Sequence, residues 1–270
     1  ELSACLTGGR INKIAQPEED ELILTINNKS MQPSQFRLFI SAGASLPLAY
    51  LTARNKPSPL TAPNFCMLLR KHLNSARILS ITQPGLERII DIEIEHLNEM
   101  SDVCIKHLII ELMGKHSNII FCDENKKIID SIKHISSLVS SVREVLPGRD
   151  YFIPNTEGKK NLLTLSQEEF DDLLKKPLPV AKAIYTTLTG ISPLLANEMC
   201  YRCQIDADTP CAGVAPVQSA ELFKCLDGLR QQILTRHYRP NIIYKKLPLE
   251  TVELPEAFSC TTLTSLLCDP

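Results

Sequence analysis

The sequence lacks the features that mark membrane passage, secretion and most catalysis. No run of about 18 apolar residues occurs, so no membrane-spanning helix is expected. The start shows no basic, apolar and small-residue succession of a signal peptide. There is no Walker loop, GxSxG elbow or GxGxxG turn, and Gly8-Gly9-Arg10 reads as a turn before a strand. The six histidines, His72, His96, His107, His116, His134 and His237, have neither HExxH nor HxH spacing. Glu168-Glu169 and Asp171-Asp172 read as charge at a helix N-terminus, where the macrodipole favours it. A non-catalytic binding protein is expected, with no cofactor, metal or small-molecule substrate. The chain starts at Glu1 without Met and stops at Pro270, so it reads as a piece of a longer polypeptide.

Acidic residues are missing from one long window. Leu22 to Leu86 holds no Asp or Glu but carries Lys29, Arg37, Arg54, Lys56, Arg70, Lys71 and Arg77, a charge of +7. The whole chain sums to −2, so the remainder carries −9. Such charges can simply coat solvated faces. An acid-free stretch of this length also suits a face that meets phosphates.

Ten cysteines are present, mostly within apolar runs such as Phe65-Cys66-Met67 and Phe121-Cys122. In a chain of this size they read as reduced thiols of a cytoplasmic protein. Cys200 and Cys203 form a CxxC with Cys211 and Cys225 downstream, which admits a zinc site. Their setting, Glu198-Met199-Cys200-Tyr201-Arg202-Cys203, has the character of a helix end, which favours packing thiols.

The first half reads as strands over Arg10–Gln16, Leu22–Asn27, Phe36–Ser41, Leu46–Thr52, Arg77–Thr82, Arg88–Glu95, Lys106–Met113, Asn118–Cys122 and Ile128–Ile132. A helix from Pro63 to Leu73 is embedded among them, with Phe65, Leu68, Leu69 and Leu73 on one face. An α+β protein with a sandwich-like β domain follows from this order. Helices are expected over Ser166–Lys175, opened by a Ser166/Glu169 capping box, then Pro179–Thr189, Pro193–Cys203 and Ser219–Tyr238. Asn241–Tyr244 and Leu249–Leu254 read as extended again. The expected domains are 1–164 (β-rich), 165–239 (an inserted helical unit) and 240–270 (strands returning to the β domain).

Leu188-Thr189-Gly190-Ile191-Ser192-Pro193-Leu194-Leu195-Ala196 approximates a helix-hairpin-helix, with Ser192 in place of the second Gly. Gly190 permits the tight turn, Ser192 caps the second helix and Pro193 suits its first position. The free N–H groups there can hold a backbone phosphate. An ordinary antiparallel helix turn has the same spacing. One residue breaks a local rule: extended backwards from Ile90, Ile92 and Ile94, the strand parity places Arg88 on the apolar side. It either snorkels or pairs with Glu87 at the strand entrance.

Several stretches together resemble the NFACT (FbpA/RqcH) family. They are Gly8-Gly9-Arg10-Ile11-Asn12-Lys13-Ile14-Ala15-Gln16-Pro17, Phe65 to His72, Glu111-Leu112-Met113-Gly114-Lys115-His116-Ser117-Asn118-Ile119-Ile120 and Leu146-Pro147-Gly148-Arg149-Asp150-Tyr151. The segment Gly190-Ile191-Ser192-Pro193 resembles the family's hairpin module. The resemblance implies an N-terminal fold similar to formamidopyrimidine-type DNA glycosylases without their chemistry, then a helical module, a coiled coil and an NFACT-R domain. It implies a cytoplasmic adaptor that binds the large ribosomal subunit with its peptidyl-tRNA and recruits alanyl-tRNA, so that alanine tails are added to stalled chains. The family's Asp-Arg pair for tRNA matches Glu87 and Arg88, with Glu one methylene longer. Glu111, Leu112, Met113, Lys115 and His116, with Arg70 and Lys71, match stretches tied to ribosome or RNA contact. Gly190 and Ser192 match the phosphate-binding hairpin. Two readings of other classes stand beside this one: a fibronectin-binding surface adhesin and a glycosylase-like enzyme on DNA.

Overall fold

In the computed structural model, residues 1–98, 100–153, 159–246 and 253–265 are described. The short β-rich runs form nine antiparallel strands of one sheet. These are β1 (Arg10–Ala15), β2 (Glu21–Asn27), β3 (Gln35–Ser41), β4 (Leu48–Leu51), β5 (Arg77–Thr82), β6 (Ile89–Leu97), β7 (Val103–Glu111), β8 (Asn118–Asp123) and β9 (Ile128–Ser131). The spatial order is β4-β3-β2-β1-β5-β6-β7-β8-β9. Two helices join them, α1 (Leu2–Leu6) and α2 (Asn64–Leu73).

The sandwich arises by folding this one sheet on itself. β1 and β5 share a single ladder pair, Arg10 opposite Arg77. Around it Ile11 N–H donates to Ala76 O (2.9 Å) and Ser75 N–H to Ile11 O (2.8 Å). The two halves of the sheet part at this seam. At the other side Lys133, just past the end strand β9, donates to the carbonyl of Ala42, just past β3, so the two halves of the sheet meet again there. One core joins Leu24, Leu38 and Ile40 of the first half to Ile92, Ile94, Leu108 and Phe121 of the second, with Phe65, Leu69 and Leu73 of α2. Burying each such side chain contributes about 1.5–3 kcal/mol. The Gly8-Gly9 turn enters this seam: a Cβ on Gly9 would lie 2.7 Å from Ile26 Cγ2 and 3.0 Å from Leu6 O.

β6 to β9 are covered on both faces. Ile89, Ile109, Ile120, Cys122 and Ile128 form a second apolar cluster with Val145, on which Met113, Ile135, Tyr151 and Ile153 pack. This explains why β7 and β8 carry continuous apolar runs rather than strict alternation.

The chain divides into two compact units, Glu1–Asn155 and Thr156–Pro270, where three parts were expected. The second unit holds α3 (Gln167–Leu174), α4 (Val180–Thr187), α5 (Pro193–Arg202) and α6 (Pro216–Leu234). It also holds the two-residue parallel pair β10 (Lys160–Asn161) and β11 (Leu188–Thr189), and the antiparallel hairpin β12 (Asn241–Lys246) and β13 (Glu253–Ser259). The capping box of α3 is complete: Glu169 N–H donates to Ser166 Oγ (3.1 Å) and Ser166 N–H to Glu169 Oε2 (3.2 Å). α6 begins earlier than Ser219 because Pro216 supplies the fixed φ of a first helical turn.

The segment expected to return to the β domain is grouped instead with the helices. β12 and β13 pair with each other, and the chain that follows is tied to α5. There the fully buried Glu198 carboxylate accepts the Thr264 N–H (2.9 Å), Thr264 Oγ1 (2.6 Å), Ser265 N–H (2.8 Å) and Arg202 Nε (2.6 Å). Burial opposes its charge, but the bonds from Thr264 and Ser265 outweigh that and bring its pKa down to about 2. Most of the expected strand Leu249–Leu254 lies outside the described residues, as does Cys268.

Candidate nucleic-acid interface

β6 opens at Ile89, one residue later than its apolar parity suggested, and this decides where Arg88 points. Arg88 stands exposed in the preceding turn rather than facing the core, and Glu87 beside it is half-buried. The turn is held by its backbone. Glu87 N–H donates to Pro84 O (3.0 Å), Gln83 Nε2 to Glu87 O (2.8 Å) and Leu112 N–H to Arg88 O (2.8 Å). Among the described residues no ion pair engages either side chain, and the two do not bond to each other. A planar cation on a fixed backbone, with its donors unspent, is suited to a phosphate or a base edge.

The Leu112 bond sets the second motif against the first. Leu112 and Met113 are half-buried and pack on the two apolar clusters. Gly114–His116 is one 3₁₀ turn, closed by Met113 N–H donating to Ser117 Oγ (2.8 Å), and it exposes Lys115 and His116. Glu111 is different: its carboxylate is fully buried, pairs with Arg143 and accepts Tyr151 OH at 2.9 Å. Burial, then the neighbouring Glu111 charge, pushes the Tyr151 hydroxyl well above its ordinary pKa, so it stays a donor. Arg143 also donates to Phe152 O (2.8 Å) and lies over the Tyr151 ring. The structure thus brings Glu87, Arg88, Lys115 and His116 to one end of the sheet and withdraws Glu111 from solvent.

Arg70 is exposed but donates through Nε to Ile14 O (2.9 Å), and Lys71 follows on the same last turn of α2. The acid-free window does not become an acid-free face. Lys56 pairs with Glu21 (2.7 Å) and Glu18 (3.3 Å), and Arg77 sits opposite Glu95 in the ladder. Arg37 donates to Ala53 O (2.9 Å). The fold brings in carboxylates that are remote in sequence, by strand pairing at Arg77 and by side-chain ion pairs at Lys56.

In the second unit the turn has the expected local geometry. Gly190 has φ +85°, and Ser192 Oγ accepts the Leu195 N–H (3.2 Å) as cap of α5, with Pro193 first in the helix. The hydroxyl is therefore spent on the helix, and a phosphate would meet backbone N–H groups. Cys200 and Cys211 are buried nearby. Burial raises the thiol pKa values, to about 11 for Cys200 and about 12 for Cys203, which disfavours the thiolates a metal needs. Among the described residues no group of three His, Cys, Asp or Glu is placed to hold a metal ion. No described helix is long and apolar enough to cross a membrane.

Sequence reasoning missed Arg143 and Tyr151, the partners of Glu111. It also missed a charged cluster beside them: Asp91 bonds His107 Nδ1 (3.0 Å) and Lys126. Burial raises the Asp91 pKa, but these two partners outweigh it and the net shift is downward.

The chain is 36% identical over 271 residues to the Rqc2 homolog RqcH of Bacillus subtilis (strain 168), an alignment spanning 98% of this chain and 43% of that protein. It is 28% identical over 250 residues to the archaeal Rqc2 homolog aRqcH of Methanocaldococcus jannaschii, spanning 89% of this chain and 35% of that one. This chain therefore spans less than half the length of those relatives. Among solved structures, the fibrinogen binding protein from Staphylococcus aureus matches with a TM-score of 0.76 and 28% identity, covering 98% of this chain and 88% of that one. The family profile of the NFACT N-terminal and middle domains matches residues 1–267, and the chain belongs to the NFACT family.

Proposed function

We propose that this chain is the N-terminal and middle part of a non-catalytic adaptor of ribosome quality control. It binds a stalled large subunit carrying peptidyl-tRNA and recruits alanyl-tRNA for alanine tailing of the nascent chain. Peptide-bond formation belongs to the ribosome. The observation that carries this reading is the exposed Arg88 guanidinium, unpaired among the described residues, on a backbone-fixed turn beside Glu87, Lys115 and His116. Arg88 contacts a phosphate or a base edge of the tRNA, and Glu87 orients it or accepts from a base amine. Lys115 and His116, with Arg70 and Lys71, add cation contacts to RNA, and the Gly190–Ser192 turn offers N–H groups to a backbone phosphate. The relatives named above as Rqc2 homologs support the ribosomal setting.

The test is tRNA binding by the full-length protein, wild type against Arg88→Ala, across a salt series. Alanine tRNA should bind more tightly than other tRNAs, and the substitution should cost about 1–3 kcal/mol. If Arg88 meets a phosphate, the log–log salt slope should fall by about one. Equal, weak binding of every RNA by both proteins would overturn the assignment of Arg88. A second reading, an adhesin, rests on the name of the Staphylococcus aureus protein, which says it binds fibrinogen. Fibrinogen binding with no tRNA binding would put that reading first.

A further inference from the structure

At the far end of β6 from Arg88, the β6–β7 hairpin and the last turn of α2 enclose a cleft of about 390 Å³. The eight residue steps from Ile89 to Leu97 put it roughly 26 Å away along the strand. Two of the residues that line it, His96 and Lys106, keep hydrogen-bonding capacity unspent among the described residues. His96 is 9% exposed, with Nδ1 lying 3.1 Å from Leu97 O. Its Nε2 is buried and bonded to nothing in the described residues. The Leu97 carbonyl can only accept, so Nδ1 carries the proton, and in the neutral ring Nε2 is left as an acceptor. Burial, opposed by that carbonyl bond and helped by the Lys106 charge, keeps the ring neutral by lowering its pKa.

Lys106 is the second group. It lies opposite Ile94 in the ladder and so shares the core-facing side of the sheet, half-buried. Its other cross-strand neighbour, Asp123, accepts the N–H groups of Asn125 and Lys127 on Oδ1 (both 2.9 Å) and forms no ion pair with Lys106. Asp102, at the hairpin tip, accepts from Asn98 Nδ2 (3.2 Å). Among the described residues Lys106 has no ion-pair partner, which leaves its ammonium able to meet an anion. Lys71 also lines the cleft but has an interaction of its own. The rest of the lining is Leu97, Met100, Cys104, the Asn98 side chain and the His72 ring, which stands edge-on to His96 at 5.7 Å.

A ligand that satisfies this cleft brings an anionic group to Lys106, a hydrogen-bond donor to His96 Nε2 and a flat body to Leu97, Met100 and His72. We propose that the cleft binds a nucleotide, with its phosphate on Lys106 and a base N–H or ribose hydroxyl on His96. The volume fits one small ligand. The nucleotide comes either free or as an unpaired residue of an RNA strand. The inference stands on the cleft's own groups and does not require the tRNA reading of Arg88.

The experiment is equilibrium dialysis of full-length protein with labelled AMP, labelled hexauridylate and inorganic phosphate, comparing wild type, Lys106→Gln and Lys106→Arg. Melting midpoints check that each variant folds. AMP or hexauridylate should bind, Lys106→Gln should weaken that binding about tenfold or more, and Lys106→Arg should recover most of it. Binding of AMP that hexauridylate does not displace identifies a free nucleotide as the ligand. Binding of hexauridylate alone identifies an RNA strand. No binding of either at millimolar concentration, or binding unchanged in folded Lys106→Gln, would overturn the proposal. Phosphate binding as tightly as AMP would also overturn it, because the base and ribose would then contribute nothing. No arm contains tRNA, so failure here is distinct from failure of the Arg88 assignment.

Discussion

Glu111 and Arg88 are neighbours with opposite fates. Ile89 and Glu111 face each other across the β6–β7 ladder, and Leu112 N–H donates to Arg88 O. At that shared strand end, Arg88 is exposed with its donors unspent among the described residues, while Glu111 is fully buried and engaged by Arg143 and Tyr151. Both fall in stretches that resemble the same family, so resemblance alone assigns both to RNA or ribosome contact. Burial separates them. A partner can touch Arg88 directly, whereas it can feel Glu111 only through the shape of the turn that Glu111 helps to hold.

The largest effect should come from breaking the buried side of this pair. Arg143→Ala leaves the Glu111 charge buried with only Tyr151 as donor, and a buried ion pair cut on one side costs about 3–5 kcal/mol. Urea unfolding of the first unit should show that loss. Glu111→Gln placed on top of Arg143→Ala should recover part of it, because the uncompensated charge is gone. If Arg143→Ala unfolds at the wild-type midpoint, the pair is not what fixes the 111–117 turn.

Much of the scaffold is legible in the sequence, for local reasons. The alternation of Ile90, Ile92 and Ile94 marks β6, Ser166 with Glu169 marks the start of α3, and Gly190, Ser192 and Pro193 mark the turn before α5. Each signal lies within a few residues of what it specifies. What stayed hidden is non-local. The partners of Glu111 lie 32 and 40 residues further on, so nothing near Glu111 announces its burial. Parity carried Arg88 into the core because alternation does not say where a strand starts. The acid-free window lost its isolation once the fold set Glu21 beside Lys56 and strand pairing set Glu95 opposite Arg77. Glu198 holds Thr264 and Ser265 across 66 and 67 residues, a link that nothing in the local sequence announces.

Glu198 extends the comparison to the second unit as a buried carboxylate that gathers backbone N–H groups. Its folded pKa, about 2, lies below the ordinary carboxylate value. The stability it contributes is therefore complete above about pH 4.5 and is lost as pH falls from there towards 2. Glu198→Gln should lower stability near pH 7 by about 1–3 kcal/mol, because a neutral amide accepts those donors less well. It should also flatten the acid limb, and amide exchange in α5 followed from pH 6 to pH 3 reads both effects. An unchanged acid limb in the variant would assign that limb to other carboxylates.

The smallest expected effect is the most informative about Arg88. Arg88→Ala should shift the folding free energy by no more than about 0.5 kcal/mol, the range of a surface change that removes no structural contact. The turn is built from Pro84 O, Glu87 O and Arg88 O accepting from Glu87 N–H, Gln83 Nε2 and Leu112 N–H, and none of these bonds uses the guanidinium. A variant that melts with the wild type yet loses tRNA affinity makes Arg88 a contact residue. If it loses affinity and stability together, the guanidinium helps to hold the turn. Arg88 would then belong with Glu111, as a residue that shapes the surface without touching the partner.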